Sequence, residues 1–151
     1  MAGVMTSTGV KLYVSAALPA TFDAAGYEAL TWTEVTNVTT IPAYGPTAAV
    51  VTHQPLSTGV DEKYGGFINY GSVGVEAAFV AEDVGQQLLR ANALQPNTQI
   101  AVRIEYPGNQ DDYTVGKCFS GTKNPGSANS MVGTSMTIEF NKSIVEVPFS
   151  T

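Results

Sequence analysis

The chain has 151 residues, enough for one domain with a real hydrophobic core and too few for two. Only 13% of its residues are charged, about half the ~25% usual in soluble domains, and thirteen acids against seven bases leave a net charge of −6. That balance excludes a nucleic-acid binder, which needs clustered Lys and Arg to displace counterions, and a single cysteine excludes an internally disulfide-stapled module.

In chain order, residues 1–9 are small and polar and read as an N-terminal arm ahead of a single domain spanning 10–149. The first twenty residues open with no basic segment and Lys11 interrupts them, so an export signal or membrane insertion is not expected. Alternation at period two then recurs to the end of the chain. Val10, Leu12 and Val14 share one side of a first strand. Segments 30–39, 47–54 and 72–80 are rich in Val, Thr and aromatics, as strands are. Between the last two, 55–71 lacks periodicity and reads as a long loop whose Tyr64, Phe67 and Tyr70 lie among glycines.

Residues 82–94 change period: Val84, Leu88 and Ala91, flanked by Leu89 and Leu94, form a helical stripe. Glu82 and Asp83 suit its N-terminal dipole, while Gly85 inside it costs about 1 kcal/mol relative to Ala. The predicted helix packs on the sheet through Val84, Leu88 and Leu89. Strands resume with Ile100, Val102, Ile104 and Tyr106, then Tyr113, Val115 and Phe119. Gly121 to Ser130 reads as a loop or a long hairpin end. Val132, Thr134, Met136, Ile138 and Phe140 follow, and Val145, Val147 and Phe149 close the chain. The expected fold is mostly β: a β-sandwich or rolled antiparallel sheet of about eight strands with one flanking α-helix over 82–94.

Catalytic patterns do not assemble. His53 is the only histidine, so a multi-histidine metal site cannot form. Cys118 falls in a predicted strand and reads as a small core residue. The doublets Asp61-Glu62, Glu82-Asp83 and Asp111-Asp112 lack the alternating spacing of a calcium loop, and nucleotide-binding glycine motifs are missing. A non-enzyme without cofactor is expected. Positions off the apolar faces carry Thr, Ser, Ala and Gly rather than charge. A Thr-rich solvated surface would look like this, but scant edge protection favours a surface covered by copies of the chain or by partners.

The order of these features resembles the bacteriophage tail tube (major tail) proteins. Its carriers are Gly9-Val10-Lys11-Leu12-Tyr13-Val14, Leu30-Thr31-Trp32-Thr33-Glu34-Val35-Thr36-Asn37-Val38 and the turn Ile41-Pro42-Ala43-Tyr44-Gly45. Ala49-Val50-Val51-Thr52, Lys63-Tyr64-Gly65-Gly66, Asn69-Tyr70-Gly71 and the helix Asp83-Val84-Gly85-Gln86-Gln87-Leu88-Leu89 follow, then late strands with Gly116. The resemblance implies a virion protein, assembled in the host cytoplasm, that forms hexameric rings stacked as a tube. It implies tape-measure and tail-completion or tip proteins as partners, and DNA that passes through the lumen without specific binding. A hairpin over 30–54 would then contribute to the inner barrel, with Glu34 facing the lumen, and Tyr64, Phe67 and Tyr70 would anchor neighbouring rings or subunits. The alternatives are a related tube protein of a contractile secretion system and a non-tube β-sandwich that decorates a capsid or binds glycan, for which Trp32 is the single tryptophan.

Overall fold

The alternation at the start of the chain buries Leu12 and Val14 completely and makes strand β1 (Lys11–Ser15). The structure, a computed structural model, describes residues 4–108 and 110–147. After β1 come α1 (Ala24–Glu28), β2 (Thr33–Val35), β3 (Val38–Thr40), β4 (Thr47–His53), β5 (Glu62–Asn69) and β6 (Ser72–Ala78). Then follow α2 (Val84–Ala93), β7 (Ile100–Tyr106), β8 (Gln110–Asn124), β9 (Gly133–Phe140) and β10 (Val145–Val147).

Eight strands form one antiparallel sheet in the order β2-β1-β7-β8-β9-β6-β3, with β10 added beside β8, whereas among the described residues β4 and β5 pair only with each other. The two end strands, β2 and β3, are joined by just Thr36 and Asn37. Seven strands laid flat would hold their outer members ~29 Å apart, but two linking residues span only ~10 Å. The sheet must therefore roll until its ends meet. Asn37 makes the turn at φ 59°, in the left-handed region that Asn tolerates.

The roll encloses Leu12, Val14, Val73, Val75, Leu89, Ile100, Val102, Ile104, Met136 and Ile138, each worth about 1.5–3 kcal/mol of buried apolar surface. A second cluster lies on the other side of β8, where Tyr27 of α1 stacks on Tyr113 at 5.3 Å and Trp32 sits 5.7 Å from the same ring. Covered from both sides, β8 buries six consecutive residues, Tyr113–Cys118. Phe119 departs from the expected inward set: the register shifts between Cys118 and Ser120, and the unpaired Phe119 is turned out, 58% exposed.

The helix is real, but its buried face is not the expected stripe. Val84 is 59% exposed, Leu88 is only half-buried and Leu94 is exposed, while Leu89 is fully buried as anticipated. Gly85, Gln86, Leu89 and Asn92 face inward instead. A Cβ at Gly85 would lie 2.5 Å from the Glu34 carbonyl oxygen, so glycine lets α2 touch the backbone of β2. Gln86 accepts from Val80 N and donates to Thr36 O and Ala78 O. Asn92 accepts from Cys118 N and donates to Thr98 O. The contact is made by amides satisfying loop and bulge backbone, which hydrophobic periodicity does not register.

Four further expectations change. Segment 30–39 is two strands at opposite ends of the sheet order, so 30–54 is not a hairpin and Glu34 does not share one with β4. Nearly half of the expected 55–71 loop is strand β5, leaving 54–61 as the connection. Strand β8 continues through Asn124 into the expected Gly121–Ser130 loop, and Val132 is 43% exposed rather than core. Helix α1, capped by Asp23, was too short to show a period. Phe149 and residues 1–3 of the expected arm lie outside the described residues, and 4–9 are exposed.

Candidate assembly surface

Strands β4 and β5 form an arm whose residues are all exposed apart from half-buried Gly66. The β-branched Thr47, Val50, Val51 and Thr52 favour extended backbone, and Gly66 fits against Ala49 and Val51 where the register shifts. At the base, Gly71 comes so close to Gly45 that a Cβ would lie 2.9 Å from the Gly45 carbonyl oxygen, which pinches the arm off from the sheet. Tyr64 stands across from Val51, and Phe67 is 95% exposed. Leu56, Val60 and Ile68 are exposed as well. An isolated two-stranded hairpin is marginal in water, and one carrying this much bare apolar surface calls for a covering partner.

The structure brings two of the three expected anchors, Tyr64 and Phe67, together on the arm. Tyr70 stands apart: it lies past the end of β5, half-buried against the main core. Glu34 is exposed on β2, opposite Tyr13, whose hydroxyl is pushed up by burial, by its hydrogen bond to Glu105 and by the charges of Glu105 and Glu34. Trp32 donates its indole N–H to Tyr27 O at 3.0 Å and is half-buried, so it offers no open platform for a sugar.

A second surface was only partly visible in the sequence. On β6 and β9 the residues pointing away from the core are Ser72, Gly74 and Glu76, matched in register by Glu139, Thr137 and Ser135. This small-residue face carries two carboxylates and no cation along those strands. The alternation of Val73, Val75, Met136 and Ile138 with them was the available signal.

A groove of about 590 Å³ opens at the base of the arm, between the 38–46 segment and the ends of β7, β8 and β10. In it the Tyr44 hydroxyl donates to Asp112 Oδ2 at 2.6 Å and also meets the Tyr106 hydroxyl. Burial pushes the Asp112 carboxyl above the usual range; the charges of Glu146 and Asp111 add to this and the Tyr44 hydrogen bond opposes it. Neither histidine nor cysteine is among the residues lining it: His53 is out on the arm and Cys118 is fully buried, its thiol pushed up by burial. Among the described residues, no three His, Cys, Asp or Glu side chains are placed to hold a metal, and no helix is long and apolar enough to cross a membrane.

No protein-family model matches the chain, and no curated protein matches it in sequence. Solved structures do. A chain of the six-fold symmetrised anti-feeding prophage baseplate matches with TM-score 0.66 at 10% identity, covering 100% of both chains. A chain from the tail of an empty GTA particle, refined helically in C6 symmetry, matches with TM-score 0.64 at 12% identity over 98% of this chain and 100% of that one. A chain of the sheath/tube terminator of an extracellular contractile injection system, PVC, matches with TM-score 0.63 at 9% identity over 97% and 99%. The fold is thus a tail-related one, shared with components of phage-like tails and contractile injection systems.

Proposed function

We propose that this chain is a structural subunit of a phage-like tail tube, forming hexameric rings that stack into a conduit for genome delivery into the host cell. The observation that carries the reading is the bare β4–β5 arm, a sheet with no partner strand among the described residues, on a fold shared with tail components. The arm, through Tyr64 and Phe67, covers a neighbouring subunit, and burying its edge strands removes an aggregation hazard. Heterologous contacts of this kind close into rings or extend into filaments. The β6–β9 face lines the lumen, where Glu76 and Glu139 repel phosphates and keep DNA from adhering during passage, with Glu34 as a further lumen acid. The role is mechanical rather than catalytic, and it belongs to the virion, with assembly in the host cytoplasm and tape-measure and completion proteins as partners.

The test is the mass of the purified protein in solution together with negative-stain images. Hollow rings or tubes are expected; monodisperse monomers at high concentration overturn the reading. A second reading, a tube or terminator component of a contractile injection system, is favoured by the likeness to chains of the PVC sheath/tube terminator and the anti-feeding prophage tube-terminating cap. Single rings that never lengthen would favour a terminator; long tubes would favour the tube.

A further inference from the structure

Three of the seven cationic side chains gather around two aromatic rings. Phe79, immediately past β6, lies between Arg90 of α2, whose guanidinium carbon is 5.0 Å from the ring centroid, and Lys123 of β8, whose ammonium is 4.8 Å from it. Further along β8 the Lys117 ammonium sits 4.7 Å from the ring of the outward-turned Phe119. Lys117 is buried and spends its protons on Asn92 O and Cys118 O, so Arg90 and Lys123 are the cations the surface presents. Gly121 makes room for this arrangement, since a Cβ there would lie 3.0 Å from Arg90 Cγ.

This positive charge has no carboxylate partner among the described residues. Among the described residues the ion pairs within 4.0 Å all belong to Arg103. Glu139 stands across from Lys117 in register yet forms none. The Arg90 Nη1 is buried without a hydrogen-bond partner. In a chain of net charge −6, such a cluster is a receiver for an anionic group from outside its own fold.

The matching surface is on the same polypeptide. At the tip of the arm, Leu56 and Val60 are exposed beside the exposed Asp61 and Glu62. The arm's base and the cluster sit at opposite ends of β6: Gly71 precedes the strand, and Phe79 follows eight residues after it, ~27 Å away. Complementary patches at two different places on one molecule define a heterologous contact between copies. We propose that the arm tip of one copy docks on the Arg90–Phe79–Lys123 cluster of a second copy. Asp61 and Glu62 face the two cations, and Leu56 and Val60 cover Phe79 and Phe119. This rests on the arm being an assembly element and supplies its docking address.

The test uses the full chain. Lys123→Glu, and separately the pair Asp61→Lys with Glu62→Lys, are expected to raise the concentration needed for assembly about tenfold or more, and the combined variant to restore it. Lys123→Gln serves as a milder check, and melting curves confirm that each variant folds. In a second measurement, Glu62→Cys with Lys123→Cys is expected to give a disulfide-linked ladder on non-reducing gels that neither single variant gives. If excision of the arm abolishes assembly while the reversals and the cysteine pair have no effect, the address is wrong and the arm's role stands. If excision leaves assembly intact, or the wild-type chain stays monomeric, both fall. Retardation of a DNA duplex that Lys123→Glu abolishes, in a chain whose arm variants assemble normally, would make the cluster a nucleic-acid site and overturn the proposal.

Discussion

The side-chain amide of Gln86 donates to Thr36 O at 3.1 Å, tying helix α2 to the two-residue link that joins the ends of the rolled sheet. The same nitrogen donates to Ala78 O at 2.9 Å, the oxygen accepts from Val80 N, and Asp83 Oδ2 receives Thr36 N–H from the other side. One buried glutamine thus serves three backbone groups on two separate stretches, 36 and 78–80. Leucine in its place would fill the volume and strand those groups, each worth about 1–3 kcal/mol when buried unpaired. Gln86→Leu is expected to lower stability by about 2–4 kcal/mol in urea unfolding, one of the largest single-site losses in the chain.

Gly85→Ala tests the close approach of α2 to β2. Alanine improves the helix by about 1 kcal/mol in isolation. Here its Cβ meets a backbone oxygen at 2.5 Å, and backbone yields little, so overpacking of about 1–3 kcal/mol outweighs the gain. A lower melting temperature is expected; a higher one would show that α2 shifts freely on the sheet.

Asp112 carries the pH dependence. Its carboxyl is raised in the folded chain, so the native state holds that proton more tightly than the unfolded state does. Stability therefore falls as pH rises from the ordinary Asp value of about 4 through the raised one, and the deficit is complete above it. Glu146 lies directly across from Asp112 in the β8–β10 pair. Asp112→Asn removes the like-charge pair while keeping an acceptor for Tyr44, and should stabilise the protein by about 0.5–1 kcal/mol at pH 7. The advantage should shrink on acidification, measured as the difference between the two melting curves across pH.

Excision of 48–68, with Thr47 joined to Asn69 through two glycines, bridges residues that already face each other in the ladder. The rest of the molecule is expected to melt as before, because the arm contributes nothing to the core, and to remain monomeric in sedimentation where the full chain assembles.

Cys118 should resist alkylation in the native protein, being fully buried with its thiol pushed up and donated to Ser120 O. Labelling followed by mass spectrometry is expected to modify it only after unfolding. Rapid native labelling would mean that α2 lifts from the β8 bulge.

Strand residues that alternate strictly were readable from the sequence, because Leu12, Val14, Ile100, Val102, Ile104, Met136 and Ile138 all bury the predicted side. The helix was legible in position and not in orientation. Gln86 and Asn92 are inward because backbone groups elsewhere need their amides, a requirement set by residues 36, 78, 80, 98 and 118 that no local window contains. Strand β4 was legible as the 47–54 segment, but the β5 half of the arm hid as a loop for a related reason: with both faces uncovered, β5 has no alternation to show. Tyr64 and Phe67 could be picked out as aromatics among glycines, but the Arg90–Phe79–Lys123 cluster could not, since its members come from three elements.

The sheet order also dictates when the molecule can form. As the chain leaves the ribosome, β1 can meet β2, and β4 can meet β5, but β1's other neighbour is β7, β3 waits for β6, and β6 waits for β9. The sticky hairpin is therefore complete long before the body that carries it, and β6 to β9 are still to be made while that hairpin is already bare. Chains growing side by side on one messenger would meet through it before their own sheets close, which makes timing during synthesis, and not only final stability, a consequence of the strand order.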